Sequence, residues 1–175
     1  MPSVTIDTTV DIDASRDAVW HVLTDFPRYD EWSPSLRIAG TPEVGAKLVV
    51  HANPPGRRGM TFKPKVLAAT PGEELRRLGK LGIHGIAAGE HFFVLTSTDD
   101  VTTRLHHGER FSGVLVALPK GGSGNGTGGY EAVSQALKHR VEQRRHGASV
   151  IRDGHIRPVR KGVDPPSEGG PNLAS

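Results

Sequence analysis

The stretch TTRLHHGERFSG, residues 102–113, decides how the rest of the chain is read. In an extended strand Leu105, His107, Glu109 and Phe111 share one face, and Arg104, His106 and Arg110 share the other. The face with Leu105 and Phe111 is the one expected to be buried, so an imidazole and a carboxylate go inside with them. The run before it, GEHFFVL at 89–95, repeats the pattern: His91, Phe93 and Leu95 on one face, Glu90, Phe92 and Val94 on the other. A tight turn around Asp99 and Asp100 joins the two runs, so they pair directly. That pairing brings His91, His107 and Glu109 together. Arg77, which shares a face with Leu75 in EELRRLGKL (73–81), is predicted to join them from the preceding strand. A one-residue slip in register would turn the whole set outward.

Outward from this pair, a period of two runs through most of residues 36–118. Its six segments begin with LRIAG, AKLVVHA, MTFKPKVLAA and EELRRLGKL and end with the two strands above. The spacers are short and rich in Pro, Gly and Asp, which demands antiparallel neighbours, because a parallel crossover needs about a dozen residues. Val4, Ile6, Val10 and Ile12 add a half-buried strand at the start. Val19, Val22, Leu23 and Phe26 follow helical spacing after it, with Asp13 or Ser15 as the cap and Asp17 in the first turn. PRYDEWSP (27–34) predicts a short second helix or turn. Near the end, Tyr130, Val133, Ser134, Leu137 and Val141 form an apolar stripe on a long amphipathic helix. The expected fold is α+β: a curved antiparallel sheet of about seven strands wrapped around the C-terminal helix, with two short helices after the first strand. The sheet's apolar face needs a cover, and this helix is the long amphipathic element available. A ligand cavity between the two is lined by the sheet's inner face.

Composition narrows the function. The chain has 175 residues, 35% hydrophobic and 23% charged, which fits one domain. It has no cysteine, so a thiolate nucleophile, a disulfide and a cysteine metal site are excluded. The net charge of +3 is modest, with much of the excess in Arg144, Arg145, Arg152, Arg157, Arg160 and Lys161. Residues 1–146 are read as the ligand-binding domain and 147–175 as a basic, Pro/Gly-rich tail. The acidic, alternating start differs from a signal peptide and no apolar run reaches a membrane span, so the expectation is a cytoplasmic protein without membrane insertion. Trp20, Tyr29 and Trp32 lack the interleaved basic residues of a nucleic-acid platform, and no nucleic-acid partner is expected. GNGTGG holds a G-x-G-x-x-G spacing at Gly124, Gly126 and Gly129. The glycines do not follow a strand directly and no second parallel strand comes after, so a linker is expected and no cofactor. His91, His107 and Glu109 have the composition of a two-histidine, one-carboxylate metal triad, but nothing else in the sequence favours a metal.

The motifs DASRDAVWHVLTDFPRYDEWSPSLR, GEHFFVL, TTRLHHGERFSG and GGYEAVSQALKHRVE, in this order, resemble the SRPBCC superfamily. This is the START-like, Bet v 1-like helix-grip group, and the nearest resemblance is to its polyketide cyclase/dehydrase-type branch. The resemblance spans roughly residues 3–146 and implies the helix-grip fold and a cavity for a small hydrophobic molecule. It implies no single reaction, since the superfamily contains carriers, lipid binders and aromatase/cyclases. Two positions depart from its pattern: Arg77 stands where a tryptophan is common, and Ser134 where an asparagine is common.

Two functions stay open on these residues. In the first, the protein is a cofactor-independent cyclase/dehydratase-type enzyme acting on a polyketide-like or aromatic substrate. His107 or His91 with Glu109 moves a proton, and Arg77 stabilises a developing enolate. In the second, it is a carrier or sequestering protein with the same cavity and no turnover, and the polar residues satisfy one another structurally. The expected ligand contacts are Trp32, Phe62, Phe93 and Phe111, with Tyr130, Ser134 and Leu137 from the last helix. A monomer or homodimer is expected. A weaker third reading gives the basic tail a partner.

Overall fold

The computed structural model describes residues 3–53, 56, 58–81, 87–113 and 128–153. The first strand, β1 (Ser3–Ile12), grows more buried toward its end: Val4 is exposed and Ile12 is fully buried. Helix α1 (Arg16–Thr24) starts at Ser15, whose side chain accepts from the Ala18 backbone N–H at 3.3 Å. Of the two candidate caps, Ser15 is thus the one used. Val19, Val22 and Leu23 form its buried face. A short 3₁₀ helix (Phe26–Glu31) follows, with Pro27 in its first turn, where a missing N–H costs nothing. Its Tyr29 is buried and donates its hydroxyl to the Leu23 carbonyl at 2.7 Å, closing the aromatic turn back onto α1.

Among the described residues eight strands form two antiparallel sheets. β5 (Lys65–Thr70), β6 (Glu74–Leu81), β7 (Ala87–Ser97) and β8 (Thr103–Ser112) join β1 in the order β1-β8-β7-β6-β5. β2 (Leu36–Ala39), β3 (Val49–Ala52) and β4 (Met60–Phe62) form the smaller sheet. The sequence predicts MTFKPKVLAA as one strand, whereas the structure breaks it into β4 and β5 at Pro64. Proline has no N–H to give the ladder. The pairing nevertheless keeps one register from Ala52↔Met60 through Val50↔Phe62 to Lys47↔Lys65. Bonds Leu48 N–H to Pro64 C=O and Val66 N–H to Ala46 C=O, both 2.9 Å, carry it across the break. The two sheets are therefore sewn together along residues 45–48, and the expected seven segments give eight strands among the described residues.

The last helix, α2 (Gly128–Asp153), lays Val133, Ser134, Leu137 and Val141 inward. Leu137 and Val141 belong to one core with Ile12, Leu75, Phe93, Leu95 and Leu105 from the sheet and Leu23 from α1. α2 runs on past Gly147, where the sequence predicts the tail to begin. Helical hydrogen bonding needs no apolar stripe, and the stripe ended earlier than the helix. The tail from 154 on, and Gly124 and Gly126 of the glycine motif, lie outside the described residues, while Gly129 sits in the first turn of α2. Among the described residues no helix is long and apolar enough to cross a membrane.

Candidate ligand site

Strand register assembles the site. β6, β7 and β8 pair Arg77 with His91 and His91 with Glu109, while Phe93 opposes His107. All of these sit on the face that meets α2. On the opposite face Arg104 bonds Asp11 through both Nε and Nη2, and His106 bonds Asp7 at 2.6 Å, in exposed pairs between β8 and β1.

On the inner face a chain of hydrogen bonds runs from sheet to helix. Arg77 Nε donates to His91 Nδ1 at 3.0 Å, the two histidines meet through their Nε2 atoms at 3.0 Å, and His107 Nδ1 meets Ser134 Oγ at 2.8 Å. Arginine can only donate, and this fixes every tautomer after it. His91 Nδ1 must accept, so its proton is on Nε2. His107 Nε2 must then accept, so its proton is on Nδ1, aimed at Ser134. Both rings are held neutral. Burial, then the Arg77 charge, then His107 hold His91 well below the ordinary histidine range. Burial and Arg77 push His107 down to about 3, although the Tyr130 carbonyl works the other way. Phe93 stacks on His107 with centroids 4.2 Å apart, sealing the inner end.

Glu109 makes no part of that chain. The sequence sets it with His107 or His91. His107 is two residues along the same strand, about 7 Å away along the backbone, and His91 lies opposite Glu109 in the register with its ring nitrogens turned to Arg77 and His107. His107 reaches to α2 instead, and Glu109 accepts a 2.5 Å hydrogen bond from the Tyr130 hydroxyl. Burial pushes the Glu109 carboxyl up, against the lowering effects of Tyr130 and Arg77, and the Tyr130 hydroxyl is pushed up in turn. Arg77 is only 3% exposed. Its Nη1 is buried without a hydrogen-bond partner, and no carboxylate forms an ion pair with it among the described residues.

Gly89 was missed by sequence reasoning. A Cβ there would collide with Glu109 Oε1, so the carboxylate lies over bare backbone. A glycine inside a strand pattern is the signal that would have found it. Gly79, two residues beyond Arg77 and paired with Gly89, leaves space as well; an added Cβ would find Gly89 O at 3.8 Å and Phe62 Cδ2 at 3.9 Å.

The expected contact residues divide by exposure. Phe93, Ser134 and Leu137 are fully buried. Trp32, Phe62, Phe111 and Tyr130 are half-buried, Trp32 packed on Tyr29 with centroids 4.5 Å apart. A separate open cleft of about 440 Å³ lies between Ser15–Asp17 and Ser97–Asp100; it is polar and shares no residue with this cluster. Among the described residues no group of three or more His, Asp or Glu side chains is arranged to hold a metal.

Comparisons with known proteins agree with the fold. The family described as polyketide cyclase/dehydrase and lipid transport matches residues 3–142. None of the curated proteins matches the sequence. A START superfamily protein from Mycobacterium smegmatis superposes with a TM-score of 0.62 at 20% identity, over 80% of this chain and 98% of its own. Norcoclaurine synthase from Thalictrum flavum, in complex with dopamine and hydroxybenzaldehyde, gives 0.60 at 16%, over 81% and 88%. The Zhui aromatase/cyclase from a Streptomyces species gives 0.58 at 18%, over 84% and 98%. At these identities the likeness is one of fold.

Proposed function

The chain belongs to the polyketide cyclase/dehydrase and lipid transport family, and on that premise we propose that it holds a small, largely apolar molecule between sheet and α2 and performs acid–base cyclisation or dehydration on it. The observation that carries the reading is Glu109: an inward carboxyl with a raised pKa, backed by Tyr130 and beside the Arg77 charge. A carboxyl moved toward neutrality is a better proton carrier than an ordinary one.

In this reading the carboxylate of Glu109 takes a proton from the carbon next to a substrate carbonyl. The electron pair moves onto the carbonyl oxygen, and Arg77 stabilises the enolate. The enolate carbon then attacks a second carbonyl of the same molecule, forming the ring, and the proton held by Glu109 returns to the new alkoxide. Loss of water completes a dehydration. His91 and His107 hold rather than transfer, because each ring nitrogen is already engaged. The apolar contacts come from Trp32, Phe62 and Phe111, the half-buried aromatics.

The carrier reading draws on the same fact. With the histidines engaged, proton transfer is left to Glu109 and the Tyr130 hydroxyl bonded to it, and a carrier needs only the seat. The two separate on a short 1,5-diketone, which closes to a cyclohexenone with loss of water. The enzyme reading expects wild-type protein to speed closure over buffer, and Glu109→Gln to lose that rate while still binding. A wild-type rate equal to buffer, alongside a small molecule retained in native mass spectrometry, assigns the carrier.

A further inference from the structure

We propose that the molecule held at this site is an organic acid bound as its anion, an apolar body whose single charged oxygen group rests on Arg77 Nη1. The inference rests on the ligand-binding reading above and names the class of ligand.

Three features of the geometry carry it. The first is the orphaned donor: Arg77 is 3% exposed, and its Nη1 is buried without a partner. A buried donor left unpaired is costly, and more so when it is charged, and a bound partner would relieve that cost.

The second is charge. Among the described residues no carboxylate is ion-paired with the guanidinium, although Glu109 acts on it through space. His91 from β7 faces it through a lone pair, and the tautomer chain keeps both histidines uncharged. Tyr29 from the 3₁₀ helix donates its hydroxyl to Leu23, and burial raises its pKa. Glu109 from β8 is turned to Tyr130 of α2. What is left is a cation in a poorly solvated place, which favours an anion over a neutral acceptor.

The third is shape. Beyond Arg77 on the same face, Gly79 and Gly89 are paired, and the space over Gly79 is bordered by the Phe62 ring. The Glu109 carboxylate covers Gly89, so a charged group stands at the edge of a small space over Gly79 with an aromatic border, which suits an amphiphilic acid and not a wholly apolar lipid tail.

The probes are para-nitrophenol, whose anion is yellow and whose acid is not, para-nitrobenzoate, and para-nitroanisole, which has the same ring and no acidic proton. We expect wild-type protein to bind at least one of the two anions at least about tenfold more tightly than the anisole. Which anion it is tells phenolate from carboxylate. Arg77→Met should erase the preference while leaving the anisole bound, and Arg77→Lys should keep part of it. A wild-type preference near one, or in favour of the anisole, overturns the inference and leaves the cavity reading standing, with no variant required. If none of the three binds, the cavity reading falls and the inference with it.

Discussion

Glu109 and Gly89 show what a single position contributes. The carboxylate occupies the volume where any side chain at 89 would begin, since a Cβ there would collide with Oε1. Gly89→Ala should therefore displace the carboxylate and break its bond from Tyr130. The clash is with the end of a flexible side chain, so the fold should survive with a melting temperature lowered by no more than roughly 4–8 °C. The ligand or turnover response should fall as it does in Glu109→Gln. A melting curve and a diketone assay on the same samples check both halves; normal turnover in Gly89→Ala would show that the carboxylate need not sit where it does. Alternation placed Leu105, His107, Glu109 and Phe111 inward from the sequence. Alternation cannot say which partner each inward group finds, because that depends on how α2 is rotated over the sheet. Ser134 and Tyr130 are separated from β8 by residues that carry no pattern, and their pairings became visible only once the helix was placed.

At the scale of elements, α2 is tied down by chemistry at both levels. Its apolar side packs Leu137 and Val141 into the core. Its polar atoms hold β1 and the turn after it: the Asp13 N–H donates to Glu142 at 2.9 Å, Lys138 donates to the Asp11 carbonyl and Arg145 to the Asp13 carbonyl. Leu137 is fully buried, and Leu137→Ala should cost about 2–5 kcal/mol in a urea titration. Ser134→Ala should cost less, about 1 kcal/mol, because His107 keeps the Tyr130 carbonyl as an alternative acceptor. A larger loss for Ser134→Ala than for Leu137→Ala would make the polar join, not the apolar face, the main fastening of the helix. The elements themselves were largely legible. Periodicity gave the strands and both α-helices, and proline chemistry explains the break between β4 and β5. The end of α2 was not legible, because past Gly147 the sequence offers few apolar residues while backbone bonding continues to Asp153.

The whole molecule carries its inner polar chain as a pH liability. In the folded state His107 titrates near 3, against 6.5 for an ordinary histidine, and His91 is shifted in the same direction. Between those values the unfolded chain holds a proton that the folded chain refuses. The stability these two groups allow is complete above pH 6.5 and declines as the pH falls toward 3, by up to about 1.4 kcal/mol per pH unit for each histidine. Glu109 has the opposite sign. Its folded pKa lies above 4.5, so the unfolded chain releases that proton first, and its contribution is lost as the pH rises through the folded value. It offsets part of one histidine on the acid side only. Urea midpoints taken from neutral pH down to about pH 5 should therefore fall, most steeply just below the ordinary histidine range. His107→Gln, which still offers a hydrogen-bonding side chain but does not titrate, should flatten the fall by roughly half. A midpoint that holds or rises toward acid would mean that the histidines take up protons without leaving the fold. In that case Arg77 would not be pinning His91 as a neutral acceptor, and the charge left for a bound anion would be shared among three groups instead of standing on one.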